Sequence, residues 1–111
     1  MKTRYIANYS KIRRKIEDHD LWELKPLFPE LKQLKKTGGG DYIMLCPFHT
    51  EESPSFTWHI RKRNFNCYGC GYGGNLIWYY AKRKCVSEFV ALIALSKFFN
   101  IKIVWKNKQL Q

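Results

Sequence analysis

Apolar residues recur along this chain in short groups whose spacing changes several times. Tyr9, Ile12 and Ile16 fall on one side of a helix, with Lys11, Arg13, Arg14 and Lys15 facing water, and Ser10 suits the N-cap of a helix running to about Glu17. Pro26 and Pro29 forbid a continuous helix across Leu21–Leu34, so a helical turn and an irregular approach to a hairpin are expected there. Thr37-Gly38-Gly39-Gly40-Asp41 is a turn signal between Leu31–Lys36 and the strand-like Tyr42–Leu45. Ser55–Ile60 and Asn64–Cys67 read as two strands joined at Arg61-Lys62-Arg63. Asn75 is placed to cap a helix over Leu76–Lys82, and Ser87 one over Glu88–Phe99. In the latter, Val90, Ile93, Ala94 and Phe98 recur at helical spacing, with Leu92, Leu95 and Phe99 widening a face expected to pack in the core. Ile101–Trp105 suits a last short strand and Lys106–Gln111 a frayed tail.

Composition adds a single-domain size and a charge. The chain has 111 residues, 45% of them apolar and 16% aromatic, so its core is modest and a metal cross-link would help hold it. Lys and Arg number 20 against 9 acids, a net charge of +11, which excludes an acidic buffering protein and favours polyanionic partners. Nucleic acid leads a membrane surface among these: no run of about 18 apolar residues exists to span a bilayer, and Met1–Ser10 lacks the pattern of a signal peptide. A cytoplasmic chain is expected, in which four cysteines are metal ligands or free thiols rather than disulfides.

Cys46-Pro47-Phe48-His49 and Cys67-Tyr68-Gly69-Cys70 form C-x2-H, 17 intervening residues, then C-x2-C. Each two-residue spacer lets a tight turn aim both members of a pair at one ion, and the interval accommodates a two-stranded excursion that returns the second pair to the first. Three thiolates and one imidazole make a closed tetrahedral site, the pattern of one structural Zn²⁺. A redox Cys-x-x-Cys at 67 and 70 is the alternative, but it leaves the first pair unexplained and lacks a surrounding thioredoxin-like pattern. Cys85 is expected to be buried as a small hydrophobe. His19, His59 and the Asp18-His19-Asp20 run are read as non-ligands, the last as a helix terminus or solvated turn.

The residues around the ligands carry a resemblance. Cys46 through Phe56 (CPFHTEESPSF), followed by Asn64 through Asn75 (NFNCYGCGYGGN), closely resembles the N-terminal zinc-binding domain of bacterial DnaG-type DNA primases. The resemblance covers roughly residues 30–101. It implies an α+β fold: a small zinc ribbon of antiparallel hairpins with a Cys3His site, flanked by short helices. The corresponding division is an N-terminal helical segment over 1–30, the ribbon with two trailing helices over 31–101, and a C-terminal tail over 102–111. It implies Cys46, His49, Cys67 and Cys70 as zinc ligands, and Glu51, Pro54, Ser55 and Phe56 as framework for the strand leaving the first knuckle. The Gly38–Asp41 turn is about one residue longer than the family's. The family's catalytic domain, with its magnesium-binding acids, has no counterpart in these residues. The resemblance therefore implies a DNA-binding module that is no enzyme on its own. It would recognise single-stranded DNA template for primer synthesis in DNA replication and serve a catalytic primase, polymerase or helicase partner, as on a mobile element.

Basic grooves and aromatic platforms are the usual means of holding a single strand. The candidates here are Arg61, Lys62 and Arg63 at the strand tip, Trp58 and Tyr68 beside it, Lys35 and Lys36 on the earlier hairpin, and Lys82 and Arg83 between the helices. Trp58 and Tyr68 suit a core or a stacking surface equally well on sequence grounds. Two rival readings stand beside template recognition: a stand-alone zinc-ribbon DNA-binding regulator, and a protein-docking module whose charge is incidental.

Overall fold

A computed structural model of the chain describes residues 2–109. Strand β1 (Lys2–Ile6) leads into helix α1 (Tyr9–Glu17), followed by two 3-10 turns at Leu21–Leu24 and Pro29–Gln33. The strands β2 (Lys35–Lys36), β3 (Tyr42–Met44), β4 (Phe56–His59), β5 (Asn64–Cys67) and β6 (Gly73–Gly74) come next. Helices α2 (Leu76–Lys84) and α3 (Glu88–Phe98) and strand β7 (Trp105–Gln109) complete the order. β2 to β6 form one antiparallel sheet in sequence order, and β1 pairs separately with β7. The fold is thus mixed α+β, with an antiparallel sheet flanked by helices.

The core follows from the period of two in β4 and β5. Phe56 pairs with Cys67 and Trp58 with Phe65, which places all four on the buried face, while the other pairs alternate outward. Phe56 and Phe65 stack with ring centres 5.0 Å apart, and the Tyr79 ring of α2 meets each edge-on at 5.8 Å. Trp58 is fully buried, its indole N–H directed at Asp20 Oδ1 at 3.4 Å. The pairing that puts Phe65 in the core carries Trp58 with it, so Trp58 presents no face to a base and is withdrawn as a nucleic-acid contact.

Other expectations change as well. α1 begins at Tyr9 with Asn8, not Ser10, at its N-cap, and the Asn8 amide instead bonds Lys102 O and the Val104 N–H, both at 3.0 Å. That anchors the start of the chain to its end. The expected tail is strand β7 through Gln109, while residues 110 and 111 lie outside the described residues. Its partner β1 lies about a hundred positions away in sequence, beyond the reach of local pattern. In α3 the buried positions are Ala91, Leu92, Leu95 and Ser96, and Val90 is 46% exposed. A helix apolar nearly all round gives no period from which to choose its buried face. Cys85 is exposed rather than buried, because it caps α2 in the left-handed conformation at φ 55°.

A polar clamp joins the second 3-10 turn to α2. Arg83 donates to both Glu30 carboxylate oxygens, at 2.7 and 2.9 Å, and the Tyr79 hydroxyl donates to Glu30 Oε2 at 2.7 Å. Burial works against the Glu30 charge, but the bonds from Arg83 and Tyr79 outweigh it and hold the carboxyl below its ordinary range. A depressed folded-state value contributes stability that is present above the unfolded carboxyl pKa, about 4.3, and lost as pH falls through the folded value. Arg83→Ala is expected to cost about 1–3 kcal/mol at neutral pH, measured as a fall in the urea midpoint at unchanged slope. The gap to wild type should narrow below about pH 4.

Candidate metal centre

The β4–β5 hairpin brings its two ends together and with them the two knuckles. The donor atoms of Cys46, His49, Cys67 and Cys70 all lie within 4.8 Å of one another. Tetrahedral bonds of about 2.3 Å to sulfur and 2.0 Å to nitrogen require donor separations of about 3.5–3.8 Å, so a small contraction closes the set on an ion. Cys46 and Cys67 are buried, His49 is half-buried and Cys70 is exposed.

The surroundings fit such an ion in three respects. Backbone N–H groups of Phe48 and Cys70 donate to Cys46 Sγ and Cys67 Sγ, each at 3.4 Å, which suits thiolate acceptors. His49 Nδ1 lies 3.3 Å from Thr50 O, so a proton on Nδ1 leaves the Nε2 lone pair facing Cys67 Sγ, 3.1 Å away. Glu51 accepts the backbone N–H groups of Cys46 at 2.8 Å and Ser55 at 3.0 Å through Oε2, and its Oε1 accepts the Ser55 hydroxyl. One carboxylate thereby holds the first knuckle against the start of β4. Ser55 Oγ also lies 3.3 Å from Cys67 Sγ, which links that carboxylate to the second knuckle.

Gly69 is required by contact. A Cβ there would lie 2.8 Å from Ser55 Oγ and 2.9 Å from His49 Cε1, both parts of the site itself. The sequence pattern shows the Gly but not this approach, which exists only after the knuckles have met.

The two buried sulfurs differ. Burial pushes the Cys46 thiol up to about 12, with the neighbouring Cys67 and Cys70 sulfurs adding to it. Burial also opposes ionisation of Cys67, but the polar groups gathered around its sulfur, the donating Cys70 N–H among them, prevail and bring it down to about 6. Metal loading at neutral pH must therefore displace the Cys46 proton, and below about pH 6 the Cys67 proton as well.

The other sequence candidates occupy different settings. Arg61 and Lys62 are exposed in the β4–β5 turn; Arg63, at φ 51°, is exposed and 3.6 Å from the Asp18 carboxylate. Tyr68 is 71% exposed, its hydroxyl 3.4 Å from His59 Nε2, while His59 Nδ1 faces Asp41 Oδ2 at 3.0 Å. His59 is accordingly a positioned side chain away from the ligand set. Lys35 and Lys36 are exposed on β2, and Lys82 lies over the Tyr72 ring at 4.8 Å. Arg83 is committed to Glu30 and so is not a free cation. Trp78 carried no role in the sequence pattern, yet it is 44% exposed on the first turn of α2.

Comparisons with known proteins fall on one family. The chain matches the CHC2 zinc finger over residues 8–111. It is 38% identical over 73 residues to the DNA primase of Chlamydia muridarum, which is 66% of this chain and 12% of that protein. With the DNA primase of Clostridium acetobutylicum the identity is 39% over 84 residues, 76% of this chain and 14% of the relative. Among solved structures, the crystal structure of the Aquifex aeolicus primase, comprising zinc-binding and RNA polymerase domains, aligns with a TM-score of 0.71 at 30% identity. That alignment covers 90% of this chain and 23% of the other. The chain thus spans only about an eighth of the curated relatives' length.

Two outcomes test the centre. Purified protein should contain about one zinc per chain, Cys67→Ser should lose it, and loading should release more protons as pH falls, because Cys67 and His49 both gain protons that the metal must displace, measured by calorimetry in buffers of different ionisation heat. Gly69→Ala should retain the ligand set yet weaken zinc retention at least tenfold, read by competition with a chromophoric chelator.

Proposed function

The chain belongs to the CHC2 zinc-finger family, the zinc-binding domain of DnaG-type DNA primases, and on that premise we propose that it recognises single-stranded template DNA for the start of an RNA primer. One structural zinc ion clamps the two knuckles, and the closed ligand set leaves no position for a reacting water. The ion's contribution is folding free energy, since the unfolded chain does not hold the four donors together. Catalysis belongs to a separate domain or partner of the primase system.

The observation that supports template recognition is the composition of the surface around the β4–β5 tip. Arg61 and Lys62 are exposed there, and Tyr68 stands 71% exposed on the strand's far end. Phosphates suit the cations and bases suit the exposed ring, a pairing that serves single strands because a duplex hides its base faces. Asp41, the nearest acid on the neighbouring hairpin, accepts from His59 and the Ile60 N–H and is held below its ordinary carboxylate range, first by the His59 bond. It is thus internally occupied.

Fluorescence anisotropy with labelled oligonucleotides across a salt series checks the proposal. The protein should prefer single-stranded to duplex DNA of the same sequence. Replacing Arg61, Lys62 and Arg63 together by Ala should flatten the slope of log affinity against log salt by about 2, since each single-strand phosphate contact contributes about 0.7. Equal affinity for duplex would support the regulator reading instead, and unchanged binding by the triple variant would support protein docking.

A further inference from the structure

Three surface depressions on this molecule lie in series, each sharing a lining residue with the next, and are called here a groove. The first, about 440 Å³, lies between the two hairpin tips and is bordered by Gly40, His59, Arg61 and Lys62. The second, about 350 Å³, is bordered by Lys62, Arg63, Asn64, Gly74 and Trp78. The third, about 310 Å³, is bordered by Trp78, Tyr72 and Lys82. Lys62 belongs to the first two and Trp78 to the last two, so the depressions adjoin in that order at these two side chains.

We propose that this groove is the path of the single strand, running from the hairpin tips across β6 to helix α2, with Trp78 as its central base-stacking platform. The inference rests on the single-strand reading above and specifies where that strand lies. Cations and aromatic faces alternate along the groove: Lys62 and Arg63, then Trp78, then Lys82 beside Tyr72. Such a mixture suits a single strand, in which the backbone needs charge and every base has a face to stack.

The two acids that line the groove, Asp41 and Glu17, already accept hydrogen bonds, and Asp18 lies beside it. Asp41 is bound by His59 and the Ile60 N–H. Glu17 accepts from the Asn75 amide at 2.7 Å and from Arg13 at 3.3 Å. Asp18 faces Arg63 at 3.6 Å, but its side chain is 79% exposed, so a phosphate can take its place at little cost.

Trp78 is held for this task by the backbone. Its backbone N–H donates to Oδ1 of the N-cap Asn75 at 3.1 Å, and a Cβ on Gly74 would sit 2.6 Å from the Trp78 Cβ. The indole therefore lies against bare glycine backbone on a helix, which fixes it while leaving 44% of the residue in solvent. Preorganisation of that kind lowers the ordering cost of binding. Tyr68, the other exposed ring near the tip, borders none of these three depressions.

The test compares wild type, Trp78→Ala and Trp78→Phe, each at full zinc occupancy, for binding of oligo(dT) and of an abasic oligomer of equal length. Trp78→Ala should weaken oligo(dT) binding about 5- to 100-fold, the loss of one stacked base, and Trp78→Phe should retain most of the affinity. On the abasic oligomer wild type and Trp78→Ala should be equal, because only phosphates remain to be bound. Trp78→Ala binding oligo(dT) as wild type does, while wild type still prefers single strands, overturns the path and leaves the single-strand reading standing. Absence of that preference in the wild type overturns both. Should Trp78→Ala fail to fold, photocrosslinking of the wild-type protein to oligo(dT) bearing 5-bromouracil decides the matter: adducts are expected at Trp78, and adducts confined to Tyr68 overturn the proposal.

Discussion

Everything near the metal centre depends on the pairing of β4 with β5, and in particular on Phe56 lying opposite Cys67. That register sets the second knuckle beside the strand that leaves the first, and the Tyr68 N–H continues the ladder to Ser55 O at 3.0 Å. A slip of β5 by one residue would send Phe65 and Cys67 to the face opposite Phe56 and Trp58, opening the core and separating the two knuckles together. The aromatic core and the metal site are consequently one cooperative unit. Glu51 strengthens it by spanning the Cys46 backbone and Ser55, so the knuckle, the strand and the second sulfur share a single hydrogen-bond chain.

The remaining elements brace this unit. Tyr79 of α2 enters the aromatic cluster and, through its hydroxyl, the Glu30–Arg83 clamp, so one side chain joins the sheet, the second 3-10 turn and the helix. Asn75 both caps α2 and bonds Glu17 of α1, which fixes the first helix to the exit of the second knuckle. The β1–β7 pair then closes the two ends of the chain on each other. These polar ties add to a core of modest size.

Charge acquires meaning only when its partners are known. Arg83 and Lys82 are adjacent in sequence, yet the first is fixed by Glu30 and the second lies over Tyr72 at the surface. Likewise Trp58 and Trp78 have the same side chain, one sealed in the sheet core and the other 44% exposed on a helix. Which cations and rings remain available to a polyanion is settled by what the fold has already used.

Much of this protein is legible in its residues. The two Cys-x-x knuckles with a strand-length interval single out the four side chains that the fold gathers into one cluster, because metal chemistry dictates both residue type and local spacing. The turn at Thr37–Asp41, the β4–β5 hairpin and the caps at Asn75 and Ser87 also follow from short-range rules, since each depends on residues within a few positions. Tertiary structure alone decided the rest. The pairing of β1 with β7, the choice of Leu92 and Leu95 over Val90, the burial of Trp58 and the contact that forbids a side chain at Gly69 all involve partners distant in sequence. Local pattern records what a segment can do by itself; which face is covered, and by what, is fixed only when remote segments compete for the same small interior.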